Sequence, residues 1–143
     1  MFLGEYEHSM DEKGRLAVPA RFRDQLGDGL VVTRGLDNCL IGFPRSYWDS
    51  LAVKVSALPL GQVTAREVQR RLFSGAAELP LDRQGRILIP QNLRTFASLG
   101  EQVVISGMNE YFEIWSHERW NDMLNRIETN SSAFAEQLAA LGI

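Results

Sequence analysis

Short apolar segments bounded by turn residues fill two stretches of the chain, and helical spacing takes over between and after them. Asp11-Glu-Lys-Gly14 has Asp at the first and Gly at the fourth position of a type I turn, with short apolar segments on either side. That pattern predicts a hairpin whose return strand is Arg15–Val18. Pro19 follows, suited to the first turn of a helix because its missing N–H would have no helical partner there. Phe22 and Leu26 share one face of this short helix, and Gly27 and Gly29 end it. Leu30–Thr33 and Cys39–Phe43 read as a second pair of strands joined around Asp37-Asn38, a turn-favouring pair. The same order then recurs as turn Asp82–Gly85, strand Arg86–Ile89, helix from Pro90, and strands Val103–Ser106 and Tyr111–Trp115.

Between and after these segments the period moves from two toward 3.6. Trp48, Leu51, Ala52 and Val55 form an apolar stripe after Pro44, broken by Pro59 and Gly61. Thr64-x-x-Glu67 has the form of a capping box opening a helix through Arg71. A third helix is predicted after Ser116, carrying Trp120, Met123, Leu124 and Ile127. Beyond the polar break Thr129–Ser132, Phe134, Leu138 and Leu141 make a last amphipathic stretch.

The recurrence is an internal repeat. Asp11-Glu-Lys-Gly-Arg-Leu-Ala-Val-Pro-Ala-Arg-Phe-Arg lies over Asp82-Arg-Gln-Gly-Arg-Ile-Leu-Ile-Pro-Gln-Asn-Leu-Arg, with Asp, Gly, Arg, Pro and the final Arg coincident and apolar residues matched between them. Upstream, Phe2-x-Gly4 faces Phe73-x-Gly75. Downstream, after one inserted residue, Gly35, Phe43 and Trp48 face Gly107, Trp115 and Trp120. The units run over residues 2–51 and 73–123. A unit of that size has too little core to stand alone, so the two are expected to pack as one pseudo-twofold body.

Charge changes the picture by its distribution. A net charge of -3 at pH 7 speaks against a uniformly basic nucleic-acid binder. Yet Lys13, Arg15, Arg21 and Arg23 stand in a stretch free of acids, as do Arg83, Arg86 and Arg94. Acids dominate from Glu101 onward, which reads as a solvated or interaction surface. The lone Cys39 forms neither an intrachain disulfide nor a cysteine-based zinc site and is expected to be a small buried apolar residue. No run of eighteen apolar residues occurs, and MFLGEYEHSMD lacks the pattern of a secretory leader, so a cytoplasmic protein with no membrane association is expected.

Catalysis finds little support, because His8 and His117 are unmatched between units and there is no phosphate loop, nucleophile elbow or Cys-x-x-Cys. No cofactor or metal is expected. Asp11, Gly14, Asp82 and Gly85 are explained by the turns themselves. Arg15 and Arg86 are not required by a strand start. An Asp–Arg pair shaping the turn is one reading; contact with DNA, where the planar guanidinium can fork onto guanine or grip a phosphate, is the other and the favoured one. Lys13 and Arg83 are out of register and suit phosphate better than bases; Arg21 has no counterpart in the second unit, where Asn92 stands. Arg23 and Arg94 are matched, and their place late in a short helix suits either the DNA backbone or a helix C-terminus. Arg66, Arg70 and Arg71 are expected on the solvent face of the middle helix, and Tyr111, Trp115 and Trp120 in the core rather than against bases.

The duplicated D-x-x-G-R-(apolar)₃-P-x-x-(apolar)-R segment, with the N-terminal Met-Phe-x-Gly and the aromatic-ended units, resembles the MraZ family, and the resemblance covers nearly the whole chain. It implies a mainly β protein with α-helices, a tandem AbrB/SpoVT-like swapped-hairpin (double-split) β-barrel with repeats at 5–47 and 76–119, a helical connector at 48–75 and a C-terminal helical segment at 120–143. It also implies a transcriptional regulator binding double-stranded DNA at direct repeats upstream of the division and cell-wall gene cluster that includes its own gene. A ring-shaped homo-oligomer associated with the nucleoid follows from the same resemblance, and Arg15 and Arg86 match the family's DxxxR arginines. The alternatives are an antitoxin-like protein of the same fold, whose acidic C-terminal part would bind a protein partner, and a β-barrel enzyme.

Overall fold

The expected hairpin barely forms, because the strand after each turn finds its partner in the other repeat. The computed structural model covers residues 1–143. The first unit contains β1 (Glu5–Ser9), β2 (Arg15–Ala17), α1 (Ala20–Leu26), β3 (Gly29–Arg34) and β4 (Leu40–Phe43). Two helices follow, α2 (Arg45–Ser56) and α3 (Val63–Phe73). The second unit repeats the order as β5 (Ala77–Pro80), β6 (Arg86–Leu88), α4 (Gln91–Phe96), β7 (Gln102–Gly107) and β8 (Phe112–Ser116). The chain closes with α5 (His117–Thr129), a 3₁₀ turn and α6 (Phe134–Ala140).

One antiparallel sheet of six strands runs in the order β1-β7-β8-β4-β3-β5, and a two-stranded ribbon joins β2 to β6. The edge strands are exchanged: β1 pairs with β7 and β5 with β3, so each unit completes the other. Ile41 opposite Glu113 and Leu16 opposite Ile87 are matched positions of the two units, and a pseudo-twofold relation passes through both pairs. Strand exchange and the mainly β class are as expected, but the ladder does not close into a barrel. β1 and β5 remain the two edges of the sheet, and the residue after β1 meets the ribbon in an isolated bridge, Met10–Leu16.

Apolar alternation directs one face of each element into a common core of Phe2, Leu16, Val18, Phe22, Leu30, Ile87, Ile89, Leu93, Ile105 and Phe112 with their neighbours. Phe2, at 2 % exposure, sits edge-on to Phe22 with ring centroids 5.0 Å apart and lies 5.5 Å from Phe112. Pro19 and Pro90 precede α1 and α4 in matching extended conformations. Gly27, at φ 62°, ends α1 in a conformation that an L side chain rarely adopts, and Asn38 turns β3 into β4 at φ 59°.

The Thr64–Glu67 capping box does not form. α3 starts at Val63, with Gln62 as its N-cap and no side-chain cap, because Gln62 N–H is already held by the carbonyl of Pro59 and the helix has begun before Thr64. Ser116 does cap α5, accepting from Arg119 N–H at 3.2 Å. Trp115 and Trp120 are buried together, 5.7 Å between centroids, beside fully buried Cys39. Burial, aided by Glu113, pushes the Cys39 thiol up to about 12, so it behaves as the small neutral core residue expected. α6 packs on the 3₁₀ turn, which in turn packs on α5, and Phe134 and Leu141 are exposed together with Ile127. No helix is long and apolar enough to cross a membrane.

Candidate nucleic-acid interface

The β2–β6 ribbon brings the two matched arginines onto one surface. Leu16 and Ile87 face each other and are buried, so alternation sends their neighbours outward. Arg15 stands opposite Leu88, and Ala17 opposite Arg86. The two arginines are thus diagonal neighbours on the outer face, roughly 7–8 Å apart at the backbone for such a relation. The ladder is extended at both ends by Ile89 N–H to Gly14 carbonyl and Val18 N–H to Gly85 carbonyl, each at 2.9 Å. One Asp-x-x-Gly turn therefore flanks each end of the ribbon.

Each turn is built the same way. Gly14 N–H donates to the Asp11 carbonyl at 3.0 Å, and the Asp11 carboxylate accepts from the backbone N–H groups of Lys13 and Arg15 at 3.0 and 2.9 Å. Its second oxygen accepts from Arg15 Nε at 2.6 Å. In the second turn Asp82 accepts from Gln84 and Arg86 N–H at 2.8 and 2.9 Å and from Arg86 Nε at 2.9 Å. Both carboxyls are held below the ordinary aspartate value, chiefly by the arginine backbone N–H; desolvation opposes this, and the guanidinium and the second turn N–H add to the lowering. Gly14 and Gly85 have φ of +92° and +74°, which glycine alone adopts without strain.

Both readings of Arg15 and Arg86 thus meet in one geometry. The Asp–Arg pair exists, but it uses Nε only, and no acceptor within the chain engages the terminal nitrogens of either guanidinium. Arg15 and Arg86 side chains are 39 % and 32 % exposed, enough to reach a ligand while their orientation is held from behind. Lys13, Arg83 and Arg21 are exposed and make no ion pair within the chain.

Arg23 and Arg94 lie in the last turns of α1 and α4, but their guanidinia do not serve the helix C-termini, one of the two roles that position suits. Arg23 Nε donates to the Val18 carbonyl at 2.8 Å, and Arg94 Nε to the Ile89 carbonyl at 2.9 Å, each five residues back and ahead of its own helix. Long helical side chains lean toward the N-terminus, which carries these guanidinia away from the end they were expected to serve. Arg71 also departs from expectation. Its Nε and a terminal nitrogen donate to the Gly35 carbonyl at 3.2 and 2.8 Å, and its guanidinium lies 5.2 Å over Phe96, because α3 packs against β3. Arg66 donates to the Leu60 carbonyl at 2.9 Å.

Ala17 and Leu88 were not singled out in sequence, yet they share the arginine face, and Leu88 is 55 % exposed. The signal was present as a period of two running through Arg86-Ile87-Leu88. His117 lies 3.6 Å from Glu7 on β1. His8 is held below the ordinary histidine value by burial and then by Arg23.

Fold and ribbon together define an internally duplicated, strand-exchanged β protein that presents a pair of buttressed arginines on one face. The family model described as "MraZ protein, putative antitoxin-like" matches residues 1–71 and again 72–141. A protein of Roseiflexus sp. (strain RS-1) is 62% identical over 141 residues, covering 99% of both chains, and is named Transcriptional regulator MraZ. Proteins of the same name from Herpetosiphon aurantiacus and Syntrophomonas wolfei subsp. wolfei are 50% and 46% identical over 143 residues, covering all of both chains. The chain belongs to the MraZ family, a family of transcriptional regulators and not of enzymes.

Proposed function

We propose that the chain binds double-stranded DNA in a sequence-specific manner, with the outer face of the β2–β6 ribbon directed into the major groove. The observation that carries this reading is the pair Arg15 and Arg86, side by side on a ribbon and oriented by Asp11 and Asp82 with their terminal nitrogens free. A two-stranded ribbon fits a major groove about 12 Å wide, and an end-on guanidinium matches guanine O6 and N7. Lys13 and Arg83, exposed in the turns that flank this face, and the exposed Arg21 of α1 meet phosphates and set register rather than sequence. The contacts come from the units 5–47 and 76–119, while 48–75 connects them.

Few arginines per chain give weak binding, so repetition of the face in a ring-shaped homo-oligomer raises the avidity through effective concentration. The segment 120–143, with Ile127, Phe134 and Leu141 exposed, is the candidate assembly surface. The operator is a set of direct repeats upstream of the division and cell-wall gene cluster that includes the regulator's own gene, and the protein works in the cytoplasm at the nucleoid. Selection of bound sequences from random duplex DNA, followed by affinity measured across salt concentrations, tests the proposal. Enrichment of one repeated motif is expected. Binding of all duplexes alike, or of none, overturns it.

A further inference from the structure

Each arginine-bearing turn, closed by its own aspartate, is also covered by an arginine of the opposite unit. Gly85, at the end of the second turn, is covered by the guanidinium of Arg23 from the first unit, so closely that a Cβ at Gly85 would overlap it. Gly14 is covered in the same way by Arg94 of the second unit, where a Cβ would lie 2.7 Å from Nε and 2.9 Å from the Ile89 carbonyl oxygen. Each arginine is also fixed at a single peptide that belongs to the crossing. Val18 gives its N–H to the Gly85 carbonyl and receives Arg23 Nε on its own carbonyl; Ile89 gives its N–H to the Gly14 carbonyl and receives Arg94 Nε. The arrangement occurs twice with matched residues, so it is a property of the repeat and not an accident of one loop.

We infer that Arg23 and Arg94 are crossed positioning residues: each holds the Asp-x-x-Gly-Arg turn of the opposite unit, and through it aims that unit's DNA-reading arginine. The part concerning DNA rests on the function proposed above. The crossing itself does not. Arg23 governs Gly85 and therefore Arg86, one residue on; Arg94 governs Gly14 and therefore Arg15. A planar guanidinium can close over a glycine backbone while Nε is occupied, whereas a lysine ammonium has neither the plane nor the Nε. Each reading head thereby depends on a helix of the opposite unit, since loosening that helix releases the turn.

The test uses the full-length chain and begins without DNA. In Arg23→Lys, the amides of Gly85 and Arg86 should exchange with solvent about tenfold faster, the scale of one lost hydrogen-bond support, while Gly14 and Arg15 stay within about twofold of wild type. Arg94→Lys should give the mirror pattern. A double-mutant cycle gives a second readout should exchange be masked by general loosening. Arg23→Ala combined with Gly85→Ala should be less destabilised than the singles predict, because the smaller side chain vacates the space the new methyl needs, whereas Arg94→Ala combined with Gly85→Ala should be additive. Acceleration confined to the mutated unit's own turn, no acceleration in either turn, or equal coupling of Gly85 to both arginines overturns the crossing.

DNA binding is then measured on an operator selected with the wild-type protein. Arg23→Lys should reproduce the altered base preference of Arg86→Ala, and not that of Arg15→Ala. If the amide pattern crosses as stated but no variant alters DNA binding, the crossing stands and the DNA reading fails. If preference follows the arginine of the same unit, the positioning role is overturned.

Discussion

Replacing Arg15 or Arg86 with alanine separates the two tasks that the geometry gives each side chain. Within the fold, each guanidinium donates one Nε–H to its turn aspartate, at 2.6 Å for Arg15 and 2.9 Å for Arg86. The aspartates keep their backbone donors when the side chain is removed, and the pairs are more than a third exposed on at least one partner. The loss to folding is therefore small. At the DNA, the same truncation removes a forked contact whose discrimination is about 1–3 kcal/mol, which corresponds to a loss of roughly 5- to 150-fold in affinity per reading head. Fluorescence anisotropy on a selected operator gives the binding loss, and thermal unfolding of the same samples gives the folding loss. The double variant should lose close to the product of the single losses, because the heads occupy separate positions on the ribbon. Unchanged operator affinity in two folded single variants refutes the assignment of the ribbon face as the reader. A loss of binding that tracks unfolding would instead make Arg15 and Arg86 turn supports.

Four further outcomes are expected. Inserting about five base pairs between two operator repeats should abolish most of the tight binding, and inserting about ten should restore part of it, since DNA turns once in roughly 10.5 base pairs; gel retardation reads both. Phe2→Ala should destabilise the fold by about 3–5 kcal/mol in urea titration, because the ring is 2 % exposed and packed against Phe22 and Phe112. Acid should loosen both turns: the depressed folded-state values of Asp11 and Asp82 stabilise above the ordinary aspartate value near 3.9 and lose that contribution as pH falls through the depressed values, and Asp→Asn variants followed by amide exchange should show no such acid step. Deleting residues 132–143 should lower the mass in solution by light scattering, because Phe134 and Leu141 find little cover within the chain.

Local punctuation was legible in the sequence. Asp11–Gly14, Pro19 and Gly27 act within a few residues of themselves, and their turn, helix start and helix stop appear where the pattern put them. The duplication was equally plain, as was the burial of Trp115 and Trp120. What could not be read residue by residue was the choice of partner. The alternation in Arg15–Val18 serves a return hairpin and an exchanged ribbon equally well, since it states which face is apolar and not which strand lies alongside. Only the family resemblance raised strand exchange, and even so the edges stay open where closure was expected. The reach of Arg23 onto Gly85 lay further out of sight, because it depends on that exchanged topology. Thr64 misled for the opposite reason: its local motif is sound, but Pro59 had already started the turn.

Strand exchange also dictates the order in which this protein is able to fold. Glu5–Ser9 must wait for Gln102–Ser106 before it has a partner, and Gly29–Val32, paired on one side within its own unit, must wait for Ala77–Pro80 to cover its other edge. During synthesis the first unit therefore emerges with its own edges unpaired, and the N-terminal strand is among the first made and the last to be satisfied. Contacts so distant in sequence slow folding and prolong the exposure of sticky strands. In that interval a nascent first half has one ready alternative to its own unfinished second half: the corresponding half of another nascent chain. On a polysome, where such halves lie close together, that mispairing competes with completion of the chain.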